Sequence, residues 1–165
     1  MGVLTHYFRA ADGAAVEQAM RLDPASPVRR DPGFDGVAFK ELDEVVTLGK
    51  LVAAITGVAW ASDLTGSVPV YPAATEPKES EWAGLADDSP WVTGPWLTEL
   101  GEGTRHALAS LDPASIPAVA AGWAADEEFD GQLDPVAAEQ IVAELQGLAR
   151  RAEEAGERLY CWTCL

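Results

Sequence analysis

The chain has 165 residues, 48% of them hydrophobic and six of them tryptophan, with 27 acidic residues against 11 basic ones and a formal charge of −16. This composition suits a single folded domain that needs neither disulfides nor metal, and it excludes a wholly disordered chain. With no basic footprint to displace counterions, the chain is excluded as a nucleic-acid binder and disfavoured at anionic membranes; basic proteins and cationic small molecules remain open as partners, although solubility accounts for most of the charge.

The opening residues, Met1 to Arg9, lack the basic start and apolar core of a signal peptide, and His6 stands where myristoylation of Gly2 would need Ser or Thr. No apolar run approaches the roughly 20 residues that span a bilayer. A cytoplasmic protein is expected, with Cys161 and Cys164 as reduced thiols.

Residues 3–9 are β-branched and aromatic and predict a strand. Asp12 caps a helix over 13–22, the prolines of 23–33 mark a loop, and 34–40 holds a short strand. Asp43 caps a second helix with Val45, Leu48, Leu51, Val52 and Ile55 on one face, and Gly57 stops it. Residues 67–71 form an edge strand at best, because of Pro69 and Pro72. A long irregular Pro- and Trp-containing segment covers about 58–95, and a helix is expected around 96–110, weakened by Gly101 and Gly103.

Asp112-Pro113 and Asp134-Pro135 repeat one device, an N-cap followed by proline in the first turn. The final helix, about 135–155, shows an apolar stripe of Ala138, Ile141, Leu145, Leu148 and Ala152, with Glu139, Gln146, Arg150, Glu153 and Glu154 off it. Arg158–Leu165 closes the chain as a strand. The expected fold is a single α+β domain. Its small mixed or antiparallel sheet includes the N- and C-terminal strands, side by side, and about five helices pack on it.

Three stretches carry a resemblance: Met1-Gly-Val-Leu-Thr-His-Tyr-Phe8, Leu48-Gly-Lys-Leu-Val-Ala-Ala-Ile-Thr-Gly57 and Ala155-Gly-Glu-Arg-Leu-Tyr-Cys-Trp-Thr-Cys-Leu165. They resemble a group of small actinobacterial proteins. In the order of its elements the chain is also similar, more distantly, to the YfbM-like family of small bacterial proteins. The resemblance implies an α+β fold and a stand-alone bacterial protein, and it brings no catalytic residue onto these positions.

The residues themselves offer few chemical motifs. Cys161-Trp-Thr-Cys164 has redox spacing but lies on a predicted strand, where residues three apart face opposite ways. His6 can approach these cysteines if the terminal strands pair, but zinc-finger spacing is absent, and the cysteines read as small buried hydrophobes. Asp126 to Gly131 reads like the start of an EF-hand loop, yet Ala137 stands where the bidentate Glu is needed, so it is taken as a solvated acidic loop. Glu41, Asp43 and Glu44 are assigned to complementing a helix dipole. No metal or cofactor is expected.

Trp60, Trp82, Trp91 and Trp96 all fall in the irregular middle, and indoles are enriched at binding hot spots. With His6 and His106 they are the candidate ligand- or partner-binding residues. The reading that follows is an acidic intracellular binding module, immunity- or inhibitor-like, that recognises a basic partner through this segment. The alternative is a small enzyme or ligand-binding protein, with a Trp-lined pocket closed by the 72–95 loop.

Overall fold

The last strand of the chain is the middle strand of the sheet. In the computed structural model, which describes residues 3–23, 25–28, 33–72 and 75–165, β5 (Arg158–Cys164) runs between β1 (Leu4–Ala10) and β4 (Trp96–Glu99). The sheet is completed by β2 (Gly36–Lys40) beyond β1 and β3 (Val68–Tyr71) beyond β4, giving the order β2-β1-β5-β4-β3 with every pair antiparallel. Pro69 sits on an edge strand, where its missing N–H costs least. The proline-rich loop at 23–33 is described only in part, since Pro24 and residues 29–32 lie outside the described residues. So does Gly2, the position weighed for lipidation.

Both faces of the sheet are covered, which makes a three-layer α+β domain. Along β5, Tyr160 and Trp162 point to one face and Leu159 and Cys161 to the other, as strand alternation requires. The first face packs Phe8, Leu97, Tyr160 and Trp162 against Val16 and Met20 of α1 (Gly13–Leu22). Asp12 caps α1 by accepting from the Ala15 N–H at 2.8 Å. The second face meets α2 (Thr47–Thr56), α5 (Glu102–Ser110), α6 (Ile116–Ala124) and α7 (Pro135–Ala155), where the larger core lies.

The Asp-Pro devices form as expected. Asp134 accepts from the N–H groups of Val136 and Ala137 with Pro135 in the first turn, a cap of about 1 kcal/mol. Asp112 caps a short 3-10 turn, Pro113–Ser115, that leads into α6. Asp43 accepts from the N–H groups of Val45, Val46 and Thr47, so it organises the turn before α2 and the helix proper starts at Thr47. Gly57, at φ 73°, closes that helix in the left-handed conformation.

Two expectations are corrected. The segment 96–110 is not one helix: Trp96–Glu99 is β4, and the helix begins only at Glu102. Alternation decided this, because Leu97 is fully buried on the α1 face while Trp96 and Thr98 point the other way. Gly101 therefore does not weaken a helix middle. It is the N-cap, where a Cβ would lie 2.9 Å from the Thr65 carbonyl oxygen. Gln146, placed off the apolar stripe of α7, is buried, and its amide donates to the Leu111 carbonyl at 2.6 Å. It closes the open end of α5 from inside the core.

One ion-pair network ties layers together. Asp35, just before β2, accepts from Arg9 of β1 at 2.7 Å and from Arg151 of α7 at 2.8 and 3.0 Å. The paired guanidinium groups, Arg151 foremost, hold its carboxyl down at about 2.

Candidate functional site

The connection from β3 to β4 is the part of the chain that the core does not explain. It leaves β3 and returns to β4 through cis bonds at Tyr71–Pro72 and Gly94–Pro95. Between them, the expected irregular loop contains two short helices, α3 (Glu79–Trp82) and α4 (Pro90–Thr93), neither with a buried residue. Local hydrogen bonds hold this arm together. Glu81 accepts from the Lys78 N–H at 2.7 Å, and Ser89 accepts from the Trp91 N–H at 3.3 Å, with Pro90 in the first turn.

Trp82 and Trp91 meet edge to face across the arm, their rings 6.2 Å apart, in the geometry that an aromatic quadrupole favours. Trp82 stays 42% exposed, and Val92 beside Trp91 is equally so. Trp91 lines an open concavity of about 690 Å³ together with Leu85, Pro77, Glu76 and Glu81. Between 75 and 94 the chain has five acids, Glu76, Glu79, Glu81, Asp87 and Asp88, against Lys78 as its lone base.

The other two candidate indoles are held by the body of the fold. Trp96 belongs to β4, and its Nε1–H donates to the Trp91 carbonyl at 3.0 Å, so it anchors the arm to the sheet. Trp60 lies on the start of α2. Its Nε1–H donates to the Val45 carbonyl at 3.0 Å, and Gly49 makes room for the ring, since a Cβ there would stand 2.8 Å from Nε1.

The histidines lie in different layers. His6 is buried on the α1 face of β1, stacked on Trp162 with ring centroids 4.9 Å apart and with Nδ1 2.5 Å from the Ser26 hydroxyl. His106 is on the solvent side of α5, with Nδ1 3.1 Å from Glu153. Cys161 and Cys164 fall on opposite faces of the sheet, as strand alternation predicts, and His6 shares a face with Cys164 only. Among the described residues no group of three or more His, Cys, Asp or Glu side chains is placed to hold a metal ion. In the acidic turn, Asp126 is committed to Lys50 at 2.5 Å and to the Glu128 N–H at 3.0 Å.

One cluster was missed from sequence. Glu44, grouped with the carboxylates near the start of α2, turns inward over the sheet instead. One oxygen accepts from Thr98 at 3.3 Å and the other from the Cys161 thiol at 3.6 Å. Tyr7, in the same cross-strand row as Cys161 and Thr98, donates to the Leu42 carbonyl at 2.8 Å. Burial, and then the nearby Glu44 charge, push the Cys161 thiol well up. Such a thiol is a packed, protonated hydrogen-bond donor rather than a nucleophile. No sequence signal could have found this row, because its partners come from three distant strands and a turn.

No protein-family model, curated protein or solved structure matches this chain. Among the described residues, no helix is long and apolar enough to cross a membrane.

Proposed function

We propose that this protein is a binding module whose β3–β4 arm recognises a basic, partly apolar segment of a partner protein. The observation that carries the reading is the pair Trp82–Trp91, held on two short helices, α3 and α4, that contribute no buried residue to the core. Half-exposed indoles leave much of their apolar surface in water, and indoles are among the side chains that dominate interface energetics when a partner desolvates them. The acids around them supply complementarity to lysine or arginine and would speed encounter with a positively charged surface.

Fluorescence anisotropy with labelled peptides tests this. The peptide set has three members: basic with leucines, equally basic without apolar residues, and the acidic counterpart of the first. The first should bind tightest and weaken as salt rises, because the surrounding charges are exposed. Trp82→Ala should lower that affinity by about fivefold or more, a loss of at least about 1 kcal/mol. Equal binding of basic and acidic peptides, or an unchanged affinity in the Trp82→Ala protein, would refute the reading.

A further inference from the structure

The edge of the sheet away from the arm borders a second concavity. A cleft of about 490 Å³ opens between the end of β2 with the segment after it, residues 40–43, and the turn between α6 and α7, residues 128–133. Its size falls within the range of small-molecule sites. The turn is pinned over α2 by Lys50, which pairs with Asp126 at 2.5 Å and lies 3.8 Å from Glu128.

The lining divides into two chemistries. Leu42, Phe129, Leu133 and Ile141 form an apolar floor. Leu42 is in the core and the other three pack against it, and the Phe129 ring stands edge-on to Trp123 at 5.0 Å. The rim carries the exposed carboxylates Glu41, Glu128 and Asp130; Lys40 is the one basic side chain of the lining, and Lys50 reaches Glu128 at 3.8 Å, leaving Glu41 and Asp130 the freer charges. The Asp43 carboxylate faces the same space but is occupied by three backbone N–H groups.

Glu41 at φ 57° and Asp130 at φ 47° are the two non-glycine residues with left-handed φ among the described residues. Both are on this rim. At Asp130 this conformation ends the 3-10 turn Glu127–Phe129, a position that Asp adopts readily.

We infer that this cleft binds a small organic cation, an ammonium or guanidinium group on a short apolar body. The cationic head meets the Glu41, Glu128 and Asp130 rim, and the body covers the floor of Leu42, Phe129 and Leu133. An anion of the same shape is repelled by the rim, and a neutral isostere gains the floor but not the charge pairing. This site lies apart from the arm and does not depend on what the arm binds.

The probe is phenethylammonium, compared with neutral phenethyl alcohol and anionic phenylpropionate, titrated into isotope-labelled full-length protein and followed by backbone amide NMR. The cation should bind with saturation and move the signals of residues 41–43 and 128–133. The alcohol should bind more weakly and the anion not at all. The double substitution Glu128→Gln with Asp130→Asn removes two rim charges and touches no core contact, and asparagine tolerates left-handed φ well. It should weaken the cation by about fivefold, as expected for exposed charge pairs, and leave the alcohol unchanged. Equal affinity for cation and alcohol overturns the inference, as does unchanged cation binding in the double variant. Shifts centred on residues 75–94, with 128–133 silent, place the cation on the arm and overturn it equally.

Discussion

The thiol of Cys161 and the carboxylate of Glu44 meet at 3.6 Å across 117 residues of chain, on the face of the sheet that carries the larger core. Cys161 is only 1% exposed, and burial together with Glu44 keeps it protonated. Cys164, three residues on, is half-buried on the other face. In native protein at mildly alkaline pH, a thiol reagent should therefore modify Cys164 and spare Cys161 until the fold is opened with denaturant. Mass spectrometry of the labelled peptides reads this directly. Equal labelling rates for the two cysteines in native protein would contradict the packing described.

Asp35 should make stability depend on pH at the acid end. Its carboxyl is held at about 2 against an ordinary 3.8, so its stabilising charge is complete above the ordinary value and is lost as the pH falls through about 2. Asp35→Asn should lower stability at neutral pH by about 1 kcal/mol, a figure kept small because solvent screens pairs this exposed. The deficit should shrink as both proteins are taken down through that acid window. Urea melts of both proteins across the window decide it, and a deficit independent of pH would rule out the linkage.

Gly101→Ala should be costly out of proportion to its size. A Cβ there meets the Thr65 carbonyl oxygen at 2.9 Å and two Gly66 backbone atoms at 3.2 and 3.3 Å, and backbone cannot swing aside as a flexible side chain does. The Gly101 N–H also donates to that Thr65 carbonyl at 2.9 Å. A loss of about 1–3 kcal/mol is expected, as for other overpacked sites. Gly103 has open space around it, so Gly103→Ala in α5 should be neutral or stabilising, by up to about 1 kcal/mol. Parallel denaturation of the two variants separates a close approach from simple helix propensity.

Trp82→Ala should cost little. Trp82 is 42% exposed and its edge-to-face contact with Trp91 is the main packing lost, so urea denaturation should show a loss of only about 0.5–1 kcal/mol. Trp123→Phe makes the opposite case. The Trp123 Nε1–H donates to the buried Thr47 carbonyl at 2.9 Å, and its loss should cost about 1–3 kcal/mol. If the two substitutions destabilise equally, the arm belongs to the core and the binding reading loses its basis.

Local chemistry was well recorded in the sequence. Asp12, Asp112 and Asp134 announce their caps, Gly57 ends its helix, and the β-branched and aromatic termini announce two strands that pair. Elements whose identity depends on distant partners were harder to read. Trp96–Glu99 has the composition of a helix start but becomes a strand because β5 and β3 offer it hydrogen bonds on both sides. Gln146 looks like a surface residue until the unpaired carbonyl of Leu111 is set beside it. The candidate surfaces divide in the same way. The indoles of the arm stood out by composition, whereas Glu44 over Cys161, and the paired lips of the cleft, arise only once the chain is folded.

The placement of β5 also sets an order of events. β5 alone joins the β2–β1 pair to the β4–β3 pair, and it is the last of these strands to leave a ribosome. Without Arg158–Cys164 the β1 and β4 edges that face it have no partner, and the contact that closes the sheet pairs Leu4 with Cys164. A net charge of −16 makes copies of the incompletely folded chain repel one another, which works against edge-to-edge pairing between them.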